Sequence, residues 1–113
     1  MGLRADKDSI KKRYIYFLLD QNDVVLYVGT AVDPKQRYKS HLKRSQTQTA
    51  LLYRYVRKHK VKLKLHIVCS ITSSYQQAEQ LEIQYIKDNQ QTVLNFYNNP
   101  NKERLTEIEN ELK

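Results

Sequence analysis

The chain has two glycines, two prolines, one cysteine, one methionine and no tryptophan. Each shortage excludes something. A single cysteine, Cys69, rules out a disulfide within the chain and fits a reducing compartment. No apolar stretch approaches the roughly 18–20 residues that a membrane span needs, so no membrane partner is expected. The opening run, Met1-Gly2-Leu3-Arg4-Ala5-Asp6, leads into charge without the apolar centre of a secretory leader. A cytoplasmic location is therefore expected, with a bacterial, phage or mobile-element origin. No Cys/His cluster has zinc spacing.

The most instructive absence is acid. No Asp or Glu appears from Pro34 until Glu79, while the same stretch carries Lys35, Arg37, Lys39, Lys43, Arg44, Arg54, Arg57, Lys58, Lys60, Lys62 and Lys64. The tail reverses this, with Glu103, Glu107, Glu109 and Glu111. The formal net charge is +8. A block this long without balancing acid attracts a polyanion, and nucleic acid is the commonest one.

At 113 residues, 40% of them hydrophobic, the chain has room for one domain with one modest core. Residues 1–12 are polar and aperiodic, a flexible basic lead-in. Arg13–Leu19 reads as a buried strand, Asp20-Gln21-Asn22-Asp23 as a turn, and Val24–Gly29 as the second strand of an antiparallel hairpin. Asp33-Pro34 starts a helix, Asp as cap and Pro at its first position, running to about Arg44 with Tyr38 and Leu42 facing inward. A second helix is expected over Thr49–His59, with Leu52, Tyr55 and Val56 as its apolar face. Val61–Ser70 alternates, with Val61, Leu63, Leu65 and Ile67 on one side, as in a strand with one wet basic face. Ser73 or Ser74 caps a long helix to about Asn89. In the terminal segment 98–113, Asn98-Asn99-Pro100-Asn101 breaks the chain before a charged helix over Lys102–Lys113, docked by Leu105, Ile108 and Leu112. The fold class is α+β: a small three-stranded, mainly antiparallel twisted sheet flanked by helices.

Glu82 is the sharpest local signal. On a 3.6-residue helix Tyr75, Ala78, Leu81, Tyr85 and Ile86 form an inward stripe, and Glu82 falls in its middle. A carboxylate there costs several kcal/mol in desolvation unless a cation meets it. Two cations answer that need: a structural Arg or Lys, or a bound metal. Arg37 and His41, four apart, share a helix face. Upstream stand two tyrosine-bearing triplets, Tyr14-Ile15-Tyr16 and Tyr27-Val28-Gly29.

Taken in order, Tyr14-Ile15-Tyr16, Tyr27-Val28-Gly29, Arg37, His41, Glu82 and Leu94-Asn95 resemble the GIY-YIG nuclease family over residues 13–97, with His41 matching its homing-endonuclease-like branch. The first triplet has Tyr14 where the family has glycine, and Thr30 stands where its excision-repair branch has lysine. The resemblance implies an endonuclease that hydrolyses phosphodiester bonds in DNA with a water nucleophile. Its single divalent ion, Mg²⁺ or Mn²⁺, is held by Glu82, with waters completing the shell. It further implies that Arg37 clamps the scissile phosphate. Tyr27 would activate the water, Tyr16 orient the water or phosphate, and His41 accept a proton or polarise a tyrosine. Tyr14 is expected only to pack. Gly29 is expected to allow close approach of the following helix, or a positive φ.

Backbone contacts are expected from Lys35, Lys39, Lys43, Arg44, Arg54, Arg57, Lys58 and Asn95. The substrate form is open among duplex, branched and single-stranded DNA, with RNA as a further candidate. A protein partner or a homodimer would supply specificity. The rival reading from another class is a catalytically silent nucleic-acid-binding module on the same scaffold, which would tolerate loss of Glu82.

Overall fold

Strand β1 (Lys11–Leu19) is the middle strand of a three-stranded antiparallel sheet in a computed structural model that describes residues 9–113. Its neighbours are β2 (Val25–Ala31) and β3 (Lys64–Ser73), giving the order β2-β1-β3. Four helices follow in chain order: α1 (Pro34–Arg44), α2 (Leu51–His59), α3 (Tyr75–Asp88) and α4 (Lys102–Glu111). This is the expected α+β architecture. The first eight residues of the expected lead-in lie outside the described residues, and Lys11 and Lys12 already belong to β1.

The pleat sends successive residues of β1 to opposite faces, and each face has its own core. Tyr16 and Leu18 join Leu26, Leu52, Tyr53, Val56, Leu94 and Leu105 on one side. Ile15 joins Val28, Ile86 and Val93 on the other, under α3. Ile15, Leu18 and Val28 are fully buried, and each such side chain contributes about 1.5–3 kcal/mol. The hairpin closes as expected through an aspartate turn. Asp20 Oδ1 accepts from the backbone N–H of Asn22 (2.8 Å) and Val24 (2.9 Å), with Asp23 at φ 65°.

Caps set the helix limits. Asp33 accepts from Gln36 N–H at 3.1 Å, with Pro34 at the first position of α1. Of the two serines weighed for α3, Ser74 is the cap, closing a capping box with Gln77. Helix α2 starts at Leu51 without a side-chain cap and ends in a left-handed Lys60, φ 52°.

Three sequence expectations are corrected here. The inward line of α1 runs Pro34, Tyr38, His41, so His41 is buried and Leu42 is 38% exposed. On α2 Tyr53 is buried with Leu52 and Val56, whereas Tyr55 is only partly so. The third strand begins at Lys64, and its alternation breaks at a register shift between Ile15 and Tyr16: Ile15 faces Cys69 but Tyr16 faces Ile67. Ile67 precedes the extra residue and shares the face of Leu65, opposite Tyr16 as Leu65 is opposite Leu18, yet it is 42% exposed instead of in the core.

The segment after α3 closes the outer edge of β2. Leu94 N–H donates to Leu26 O at 2.7 Å. Asn95 takes the next step with its side chain: Oδ1 accepts from Val28 N–H (3.0 Å) and Nδ2 donates to Val28 O (2.9 Å). An amide thus replaces one residue of a missing strand. Helix α4 fastens this segment from behind, Arg104 donating to Val93 O at 2.7 Å and Thr92 O at 2.6 Å.

Candidate active site

Tyr16 and Tyr27 come together because β1 and β2 pair antiparallel, with Tyr16 opposite Gly29 and Tyr27 opposite Leu18. Their ring centroids are 6.4 Å apart. Gly29 has no positive φ; its function is room. A Cβ there would lie 2.3 Å from Cζ and 2.4 Å from the hydroxyl of Tyr16, so the Tyr16 ring occupies the space a side chain would fill. Neither expected reason for the glycine applies. Tyr14 is paired with Ala31 in ordinary strand geometry and needs no glycine. It is half-buried, with Lys12 over its ring.

His41 reaches the tyrosines from α1. Its Nε2 shares a 2.9 Å hydrogen bond with Tyr16 Oη, and its Nδ1 a 2.9 Å bond with Tyr53 Oη from α2. With Tyr27 it makes an edge contact only, centroids 5.0 Å apart. Of Tyr16 and Tyr27, the one hydrogen-bonded to His41 is therefore Tyr16. Burial pushes the imidazole down to about 4, helped by the charges of Arg37 and Arg44, so the ring is neutral at pH 7. Tyr16 is pushed well above the ordinary phenol range, first by burial and then by Tyr27. Burial, with Glu82 adding to it, pushes Tyr27 up to about 12. Unlike Tyr16, the Tyr27 hydroxyl has no protein partner among the described residues.

Glu82 approaches from α3. Its Oε2 accepts from Thr30 Oγ1 at 2.6 Å. Thr30 lies in β2 because the strand runs on to Ala31, two residues past the expected end. No ion pair involves Glu82 among the described residues. Burial raises its pKa first of all; the Thr30 hydroxyl lowers it, Glu79 raises it and Arg37 lowers it. The desolvated carboxylate expected from the helix stripe is present, and no Arg or Lys among the described residues pairs with it.

Arg37 is exposed on α1 and makes no hydrogen bond to the described residues. It lies close enough for its charge to act on Tyr16, Tyr27, His41, Tyr75 and Glu82. With Thr30, Ser40, Tyr75 and the buried Arg13 it lines an open cleft of about 490 Å³. Arg13 donates to Ser73 O at 3.1 Å and faces the ring of Tyr75.

The five expected catalytic residues are thus linked: His41 is bonded to Tyr16, and the charges of Arg37 and Glu82 act on both Tyr16 and Tyr27. The expected nucleic-acid contacts divide. Lys35, Lys39, Lys43 and Arg44 stand exposed on α1 without protein acceptors among the described residues. On α2, Arg54 pairs with Glu109 (2.6 Å), Arg57 donates to Ser45 O (3.0 Å) and Gln48 O (2.8 Å), and Lys58 donates to Glu111 O (2.9 Å). Asn95, expected at the nucleic acid, is buried, and its amide is committed to Val28. Sequence reading missed Thr30, Tyr53, Tyr75 and Arg13. Only Arg13 had a local signal, a cation opening an otherwise apolar strand.

A family model described as the GIY-YIG catalytic domain matches residues 12–98. The chain belongs to the GIY-YIG nuclease family. No curated protein and no solved structure matches it.

Proposed function

We propose that the chain is an endonuclease that hydrolyses phosphodiester bonds in DNA with the help of one divalent cation on Glu82. The observation that carries this reading is Glu82 itself. It is a half-buried carboxylate bonded to a neutral hydroxyl, without a paired cation among the described residues, and its charge acts on both tyrosines. The donors fit a hard ion: oxygen alone, from one carboxylate and neighbouring hydroxyls, with space for water in the open cleft beside Thr30. No group of three or more His, Cys, Asp or Glu gathers among the described residues, so a zinc-type cage is not on offer. A bound Mg²⁺ or Mn²⁺ would supply the charge that acidifies water and stabilises the leaving oxygen.

The remaining steps belong to the chain's own residues. Arg37 presents its planar fork to two oxygens of the scissile phosphate and offsets the charge that grows on them. Tyr27, its hydroxyl free, accepts a hydrogen bond from the attacking water. Held near a pKa of about 12, it stays a phenol at neutral pH and orients the water, whose proton leaves to solvent through the open cleft while the leaving oxygen takes one up from there. Tyr16, fixed by His41, orients the phosphate or the same water from the other side. The free cations of α1 hold the backbone of the strand, which positions it without reading its sequence.

The decisive test offers supercoiled, linear duplex, branched and single-stranded DNA, with RNA beside them, in Mg²⁺, Mn²⁺ or EDTA. Cleavage of at least one DNA form with either ion and none in EDTA is expected. Full activity in EDTA overturns the mechanism.

A further inference from the structure

A neutral imidazole carries one ring hydrogen, so it donates through one nitrogen and accepts through the other. Both nitrogens of His41 are engaged by phenol hydroxyls, Tyr16 at Nε2 and Tyr53 at Nδ1, each at 2.9 Å. Two hydroxyls therefore bring two hydrogens to a ring that can accept one. The hydroxyl that does not donate to His41 must receive the ring N–H and send its own hydrogen elsewhere.

Neither hydroxyl has a further protein acceptor among the described residues, so the outlet has to be substrate or water. Both phenols are buried in one core with Leu52 and Val56, Tyr16 at 2% and Tyr53 at 7% exposure, so burial does not separate them. Their neighbours do: Tyr16 stands beside Tyr27, whose hydroxyl is free among the described residues, and the charges of Glu82 and Arg37 act on it, so the outlet belongs to Tyr16. Tyr53 reaches the other ring nitrogen of His41 from α2. A buried phenol leaves its donor unused only at the full desolvation cost, and His41 Nδ1 is the acceptor within reach.

We propose that Tyr53 is a positioning residue: its hydroxyl donates to His41 Nδ1, so that Nε2–H donates to Tyr16 Oη and the Tyr16 hydrogen is left for the phosphate or the attacking water. His41 is then a fixed donor that never needs to become an imidazolium. That agrees with its burial between two tyrosines and beside the positive charges of Arg37 and Arg44. With an N–H on its oxygen, Tyr16 is a stronger donor to a phosphate oxygen as charge develops there. The substrate half of this proposal rests on the phosphodiesterase reading; the tautomer half does not.

The test is long-range proton–nitrogen correlation NMR of the ¹⁵N-labelled full chain at neutral pH, with His41 assigned by loss of its signals in His41→Gln. The expected pattern has the hydrogen on Nε2 and Nδ1 bare. In Tyr53→Phe the preference is lost and the two tautomers mix. A hydrogen on Nδ1 in the unmodified chain, or an unchanged pattern in a folded Tyr53→Phe, overturns the proposal whether or not the chain cuts anything. In single-turnover cleavage Tyr53→Phe should lose about tenfold with nucleic-acid affinity unchanged, the size of one neutral hydrogen bond. It should lose nothing more in a His41→Ala background. A second full tenfold loss in that background shows that Tyr53 acts apart from His41 and also overturns the proposal. Absence of cleavage from every substrate removes the phosphodiesterase reading alone, and the nitrogen spectrum still decides the tautomer.

Discussion

Helices α1 and α2 are both basic, both amphipathic and adjacent in the chain, yet they use their charges in opposite ways. The cations of α1 point outward and meet no protein acceptor among the described residues. Those of α2 are spent on the protein: Arg57 ties the connection between the two helices through Ser45 and Gln48, and Arg54 and Lys58 hold α4. A run of lysine and arginine in a sequence is therefore not yet a binding surface. What separates the two helices is available oxygen. Helix α2 faces the acidic end of the chain and a loop with unpaired carbonyls, and α1 faces neither. One contact joins them at the site, His41 of α1 with Tyr53 of α2.

The largest expected contrast sets Arg37 of α1 against Arg57 of α2. Arg37→Ala should lower turnover by about 10²–10³-fold with the melting temperature unchanged, because its exposed side chain has no protein acceptor among the described residues and its proposed role is on the phosphate. Arg57→Ala should leave turnover within a few-fold and destabilise the fold by about 1–2 kcal/mol, since two carbonyls lose a charged donor. Single-turnover cleavage and thermal melts of both variants check this. Equal effects on turnover would erase the distinction between the helices.

Next comes binding. Removing Lys39, Lys43 and Arg44 together should flatten the slope of log affinity against log salt by about 2–3, since each phosphate left without its cation takes away roughly 0.9. Removing Arg54, Arg57 and Lys58 together should change that slope by less than about 1. If the α2 set has the larger slope effect, its hydrogen bonds to the protein open on binding and the division drawn here is wrong.

Asn95 sharpens the same point away from the helices. Asn95→Ala should cost about 2–3 kcal/mol of stability, because two buried hydrogen bonds at the β2 edge disappear with the amide. Denaturant unfolding measures it. Intact stability with weakened nucleic-acid binding would return Asn95 to the interface.

A further contrast lies in pH. His41, packed by Tyr16 and Tyr53 and repelled by Arg37 and Arg44, has a folded pKa depressed from about 6.5 to about 4. Between those values the unfolded chain binds the proton and the folded chain does not. Stability attached to His41 is thus fully present above about pH 6.5 and is lost as pH falls toward 4. The stability difference between the unmodified chain and His41→Gln should shift against the unmodified chain over that window and stay flat above it. A flat difference throughout would mean that the ring is hydrated.

Much of this site was legible because its signals are local. The hairpin follows from two β-rich runs about a four-residue polar turn, α1 from Asp33-Pro34, and Glu82 from its place on an apolar stripe. What escaped depends on partners distant in sequence. Leu42 reads as core and His41 has no place in that inward line, because hydropathy does not register a histidine satisfied by two phenols. Ile67 keeps the face that alternation assigns it but is not covered there, which alternation alone does not report. Thr30 read as a departure from a lysine, while its hydroxyl proves to be the hydrogen-bond partner of Glu82 across 52 residues of sequence. Asn95 looked like a nucleic-acid contact because its amide is free in the sequence and committed only once β2 has an open edge beside it.

Glu82 decides the account. Its pKa is raised in the fold by burial, so its ionised form opposes folding: stability attached to it is full below the unfolded carboxylate range and is lost as pH rises through the raised value. The direct measurement pairs thermal melting at pH 7 with cleavage, for the unmodified chain and Glu82→Gln, with and without Mg²⁺ or Mn²⁺. The account predicts that Glu82→Gln melts as high or higher without metal, gains nothing when metal is added, binds nucleic acid normally and cuts nothing. The unmodified chain should be stabilised by the ion and cut only in its presence. A Glu82→Gln chain that unfolds, or one that still cuts with added metal, would contradict it.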